Sequence, residues 1–151
     1  MTSDLTLHPM TGADYDEVVA FWLAQPGVGL NESDEREPVL AFLARNPGLS
    51  VVVRDEGLVV AAVLCGHDGR RGYLHHLAVA PTHRGRGLGR RLVDGCLRQL
   101  QASGIPKCNV FLFVDNDEGR RFWQAVGFAQ RADLRVMQRG TEPGVPATRL
   151  P

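Results

Sequence analysis

Between Tyr73 and Ser103 the chain changes its hydrophobic period once, and the change falls on a cluster of three glycines. Tyr73 to Val79 reads as a strand. Leu88, Leu92, Val93, Cys96, Leu97 and Leu100 then recur on one face of a long helix that closes at Ser103-Gly104. The join is Val79-Ala80-Pro81-Thr82-His83-Arg84-Gly85-Arg86-Gly87-Leu88-Gly89. Glycine removes the side chain that would hold a ligand away, and the N–H groups of the first helical turn then face whatever anion docks. A phosphate or pyrophosphate fits such a turn, and Arg84, Arg86 and Arg90 can add charge-assisted contacts. A helix start without a ligand would use the same residues. The glycines at 85, 87 and 89 do not form GxGxxG, and no Gly-Lys-Ser/Thr follows, so dinucleotide and P-loop readings lack their defining residues.

The elements around this unit set its context. Leu5 and Leu7, with His8, open a short strand, and Thr11 caps a helix that buries Val18, Phe21 and Trp22 before Gln25-Pro26-Gly27 ends it. Asp34 with Glu37 has the spacing of a capping box for a second helix, which carries Leu40, Leu43 and Ala44 and stops at Asn46-Pro47-Gly48. Leu49 to Arg54 and Leu58 to Cys65 read as a hairpin across Asp55-Glu56-Gly57. After the long helix, Lys107 to Val114 is a strand, Asp117 to Val126 a helix closed by Gly127, and Phe128 to Met137 a final hairpin. The expectation is one mixed α/β domain over residues 1–140 with helices on the faces of its sheet, followed by a frayed tail at 141–151.

At 151 residues, 44% hydrophobic and 23% charged, the chain suits one soluble globular domain. It has no apolar run near the roughly 18 residues of a membrane helix and no signal-peptide layout, so the expected location is cytoplasmic with no membrane partner. Cys65, Cys96 and Cys108 are isolated in apolar runs, which suggests buried thiols and no metal. The net charge is zero, yet residues 1–68 hold eleven acids and three arginines, and residues 69–151 hold six acids and fourteen basic residues. A basic half suits an anionic ligand and an acidic half a cationic one; two solvated faces would look the same. Aromatic interleaving is poor, so a nucleic-acid partner is not expected.

The turn satisfies Arg-x-x-Gly-x-Gly at Arg84, Gly87 and Gly89 behind the strand Leu77-Ala78-Val79, and this resembles motif A of the GNAT acetyltransferases. Asn116 followed by Phe122-Trp123-Gln124-Ala125-Val126-Gly127-Phe128 resembles the second block of that family at the matching distance downstream. The resemblance runs from about Leu49 to Met137.

It implies an α/β (α+β) domain whose mixed, mostly antiparallel sheet has about six or seven strands and about four helices, with two strands splayed to form the CoA cleft. It also implies an N-acetyltransferase that passes an acetyl group from acetyl-CoA to an amine of a small molecule, peptide or protein by direct attack. An acyltransferase using another acyl-CoA, or a non-catalytic acyl-CoA sensor, are the alternatives, and a homodimer is possible. By the resemblance, Leu77, Ala78 and Val79 meet pantetheine through their backbone, and Leu77 N–H is the oxyanion donor. Arg84, Gly85, Arg86, Gly87, Leu88, Gly89 and Arg90 line the pyrophosphate turn, while Asn116 and Phe122 lie near the CoA arm. Trp123 occupies the place where many members carry a tyrosine acid, and an indole cannot relay a proton at neutral pH. Tyr73, His75 and His76 are the candidate bases; strand alternation puts His75 with Tyr73 on one face and His76 on the other. Glu32 and Asp34, on the acceptor side in related folds, are candidates to attract a cationic amine.

Overall fold

In a computed structural model, residues 5–145 are described and fall into two compact units, the first reaching Phe111 and the second beginning at Leu112. The first holds β1 (Leu7–Pro9), α1 (Tyr15–Leu23), α2 (Arg36–Arg45), β2 (Val51–Asp55), β3 (Leu58–His67), β4 (Gly72–Val79), α3 (Leu88–Ala102) and β5 (Cys108–Val110). The strands form one sheet in the order β1-β2-β3-β4-β5. The first three pairings are antiparallel, and β5 joins β4 in parallel after the α3 crossover.

β3 explains why the sheet has helices on both faces. Its run Val60 to Gly66 is buried residue after residue, so alternate side chains must each find a partner layer. Ala62 and Leu64 belong to a core with Val18 and Trp22 of α1 and Val39 of α2. Cys65 points the other way, to Cys96 of α3, which buries Leu88, Leu92, Val93, Cys96 and Leu100 along a single stripe. Two glycines set the spacing of the layers. A Cβ on Gly66 would stand 2.5 Å from the Phe42 ring of α2, and one on Gly72 would stand 2.6 Å from Leu100 of α3.

Polar staples hold the lower ends of β2 and β3. Cys65 N–H donates to the buried Ser50 hydroxyl at 2.9 Å, and His67 N–H donates to Asn46 Oδ1 at 3.0 Å. Asn46 thus both ends α2 and ties it to β3. The Asp55–Leu58 hairpin turns through left-handed Glu56 and Gly57.

The second unit carries α4 (Asp117–Ala125), capped by Asn116, whose Oδ1 accepts the Gly119 N–H at 2.8 Å. A Cβ on Gly119 would lie 2.6 Å from Asn116 Nδ2, so a larger residue there would have to displace the capping side chain. Trp123 stacks edge-on against Phe122 and Phe128 within this unit.

Three expectations are corrected. Among the described residues the sheet has five strands, not six or seven, and Lys107 to Val114 is strand only over Cys108–Val110. The final hairpin is absent among them: Leu134 N–H bonds back to Arg131 O, and Arg131 grips Asp133 through two 2.9 Å bonds, so a tight turn stands where strand was expected. The capping box also lies elsewhere. Asn31 and Asp34 cap each other around a short 3-10 turn, Glu32–Asp34, and Asp34 is spent there and on His76 instead of capping α2 with Glu37. Of the tail, 141–145 belong to the second unit and 146–151 lie outside the described residues.

Candidate active site

The turn after β4 is built as its glycines require. Gly85 and Gly87 have φ of +75° and +79°, a region that L-residues enter at a cost of about 1–2 kcal/mol, and both open onto empty space. α3 begins at Leu88 with Gly87 as its N-cap and no side-chain cap, and its first intrahelical bond is Arg91 N–H to Gly87 O at 3.0 Å. The amides of Leu88 and Gly89 precede that bond, at the positive end of a fifteen-residue helix. Arg84 is held in place: its Nε donates to Val79 O at 2.9 Å, and its guanidinium reaches Gln25 Oε1 at 3.5 Å. Arg86 and Arg90 are exposed beside the turn. His83 ties the approach to the sheet, with Nε2 at 2.7 Å from Asp55 and Nδ1 at 2.7 Å from the Thr82 hydroxyl.

β4 and β5 part company in front of this turn. Their pairing ends at Leu74↔Val110, so β4 from His75 to Val79 runs on beyond β5 and presents its backbone edge on that side.

The same stretch contains a bulge. Leu64 of β3 pairs with His75 and Ala62 with Ala78, so His76 and Leu77 together face Val63 alone. His76 takes up the extra residue with φ of +56°, a left-handed conformation that costs a non-glycine residue about 1–3 kcal/mol and that packing must hold. This overturns the expected alternation. His75 meets Phe42 of α2 at 6.0 Å, and His76 meets Trp22 of α1 at 5.1 Å, so both rings lie on the helix α1–α2 face. Tyr73, His75 and Phe111 form a near-parallel stack beside them, with 6.0–6.3 Å between centroids.

Asp34 completes this face. Its carboxylate is buried, with Oδ1 at 2.8 Å from His76 Nε2 and Oδ2 accepting the Asn31 N–H at 2.9 Å, while its carbonyl accepts the Tyr15 hydroxyl at 2.7 Å. Burial pushes the Asp34 carboxyl up, but the His76 hydrogen bond, the Asn31 amide and the nearby histidine charges outweigh it and hold the group below the usual carboxylate range. Burial lowers the basicity of His75, helped by the charge of His76 and partly offset by Asp34. Glu32, the other acid expected to face an acceptor, is exposed. Asn116, Phe122 and Trp123 lie in the second unit, as capping residue and ring cluster.

The sequence named Asp34 and His76 for separate tasks and gave no sign that they touch. Tyr15, Trp22, Asp55 and His83 carried no signal beyond ordinary core or surface positions.

A mixed sheet with a splayed edge, a bulge beside it and a glycine-opened helix terminus sets an open strand edge and an anion-binding helix start in one unit. Residues 15–128 match the acetyltransferase (GNAT) family profile. An acetyltransferase of Yersinia pestis (strain Pestoides F) is 34% identical over 108 residues, covering 69% of this chain and 73% of that one. The fold is similar to Ard1 from Thermoplasma volcanium, with a TM-score of 0.73 at 20% identity, covering 85% of this chain and 84% of the other. It is also similar to the PaiA N-acetyltransferase from Thermoplasma acidophilum, solved with coenzyme A, with a TM-score of 0.71 at 14% identity, covering 83% and 90%. The chain belongs to the GNAT acetyltransferase family and is an acyltransferase. No helix among its described residues is long and apolar enough to cross a membrane.

Proposed function

We propose that this chain transfers an acetyl group from acetyl-CoA to a primary amine of a small molecule, peptide or protein, by direct attack within a ternary complex. The observation that carries this reading is the turn at Gly85 and Gly87, whose left-handed glycines leave the uncapped N-terminus of α3 open to an anion. The CoA pyrophosphate lies there, against the amides of Leu88 and Gly89, with Arg84, Arg86 and Arg90 supplying charge. Pantetheine runs along the open edge of β4 through the backbone of Leu77, Ala78 and Val79, as an added strand.

Acetyl-CoA supplies an activated acyl carbonyl. Leu77, next to the bulged His76, offers its N–H to the oxygen on which charge develops. Trp123 gives no proton to the departing sulfur, and none is needed, because a thiol with a pKa near roughly 8.5 leaves as thiolate at neutral pH. The reaction still requires the acceptor as a neutral amine, since an ammonium with a pKa near roughly 10.4 has no lone pair to attack with.

Thermal unfolding with and without saturating acetyl-CoA tests the donor half. An upward shift of the midpoint is expected by mass action, and an unmoved midpoint would sink the reading. Thiol release across a panel of amines then tests the transfer.

A further inference from the structure

The bulge at His76 and the burial of Asp34 together make a feature that the acetyl-transfer reading leaves unused. An ionised carboxylate only accepts hydrogen bonds, so the 2.8 Å contact requires His76 to carry its proton on Nε2. Asp34 cannot swing away, because Asn31 N–H holds its second oxygen and the Tyr15 hydroxyl holds its carbonyl. Trp22 closes one side of the ring. Nδ1 has no hydrogen-bond partner among the described residues, and it is not shut in: Trp22 Nε1 is the fully buried side-chain polar atom lacking a partner there, and the His76 side chain keeps 16% exposure. The next residue along the strand is Leu77, whose N–H faces the acyl oxygen in the proposed reaction.

We infer that Asp34 and His76 form the acceptor-side proton relay of this enzyme, with Asp34 fixing the Nε2–H tautomer and His76 Nδ1 serving as the base that takes a proton from the acceptor's ammonium group. The inference rests on the acetyl-transfer reading. Nδ1 receives one ammonium proton and passes it to solvent; the freed lone pair forms the C–N bond as the C–S bond breaks. The second proton, shed by the new amide nitrogen, neutralises the thiolate. The sum is ammonium plus thioester giving amide, thiol and one proton. Asp34 touches no reactant, and acts as the positioning residue that stabilises the imidazolium as it forms. The strain at His76 has the same purpose: a regular strand would turn this ring to the α3 side, away from Asp34. The titratable groups around the ring are Asp34 from the α1–α2 connection, Tyr15 of α1 and His75 of β4 itself.

The test uses the full chain. Long-range 1H–15N spectra of protein labelled at histidine, with His76 assigned through the resonances lost in His76→Gln, report the tautomer directly. The expected result is a neutral ring with its proton on Nε2 and an unprotonated Nδ1. A neutral ring with its proton on Nδ1 overturns the proposal whatever the acceptor. Kinetics follow thiol release from acetyl-CoA with spermidine, lysine amide and a peptide bearing a free N-terminus, or with water as nucleophile if none turns over. Asp34→Asn is expected to lower kcat about 10²- to 10⁴-fold and to move the acid limb of the pH profile, with KM for acetyl-CoA unchanged and partial rescue by Asp34→Glu. An unmoved profile in folded Asp34→Asn also overturns it. Acetyl-CoA still raising the melting temperature of Asp34→Asn, but not of Gly87→Glu, separates failure of the relay from failure of the acetyl-transfer reading.

Discussion

Asp34 and His76 lie forty-two positions apart and meet at 2.8 Å across the face between helices α1 and α2. The contact joins the loop before α2 to the bulge of β4, so the proton balance of this face couples to the stability of the fold.

Acid should therefore unfold the protein in two stages. The folded Asp34 carboxyl lies below its ordinary 3.8, so its contribution is fully present above about pH 3.8 and is lost as pH falls through the folded value. Burial holds His75 below its ordinary 6.5, so the unfolded chain binds the proton first and stability drops once pH falls under about 6.5. Urea titrations from pH 3 to 8 check this: His75→Gln should remove the upper step and Asp34→Asn the lower one.

Gly87→Glu fills the mouth of α3 with a carboxylate and should abolish the thermal protection given by acetyl-CoA. No neighbour lies within 4 Å of the new Cβ, so the cost to the fold is the left-handed backbone, about 1–2 kcal/mol. Gly87→Ala, with the same backbone cost and no charge, should keep most of the protection. Differential scanning fluorimetry of both variants separates the two effects.

Gly72→Ala should destabilise by about 1–3 kcal/mol, because the added methyl meets Leu100 at 2.6 Å in a filled layer. Pairing it with Leu100→Val should recover part of the loss, which chemical denaturation of the two single variants and the double variant measures.

Thiol labelling under native conditions should be slow at all three cysteines. Burial pushes Cys108 up to about 12, and the Cys96 hydrogen bond together with burial drives Cys65 higher still, so thiolate is scarce at pH 8. Reaction with a chromogenic disulfide should proceed at the rate of unfolding for Cys65 and Cys96.

Local chemistry was legible in the sequence where the local signal and the tertiary demand agree. The glycine turn, the stripe of α3 and the buried run of β3 each specify their own conformation, and the structure places them as expected. The failures have two sources. Alternation along Tyr73 to Val79 takes a regular pleat for granted, and a bulge is a property of pairing with β3 that no residue of β4 announces. Asp34 looked like a helix cap because Glu37 stands three residues on, yet a buried partner from a distant strand competes better for its carboxylate than a solvated helix end. The paired residues were therefore named, but the pair itself is written only in three dimensions.

The two-faced burial of β3 also sets the timing of folding. One face can be covered by α1 and α2, which precede it in the chain, but the other waits for α3, whose last residues follow the end of the strand by about 35 positions. At synthesis rates of about 5–20 residues per second, that leaves an apolar strand face uncovered for seconds on the ribosome. The layer between β3 and α3 is therefore the last part of this core to close.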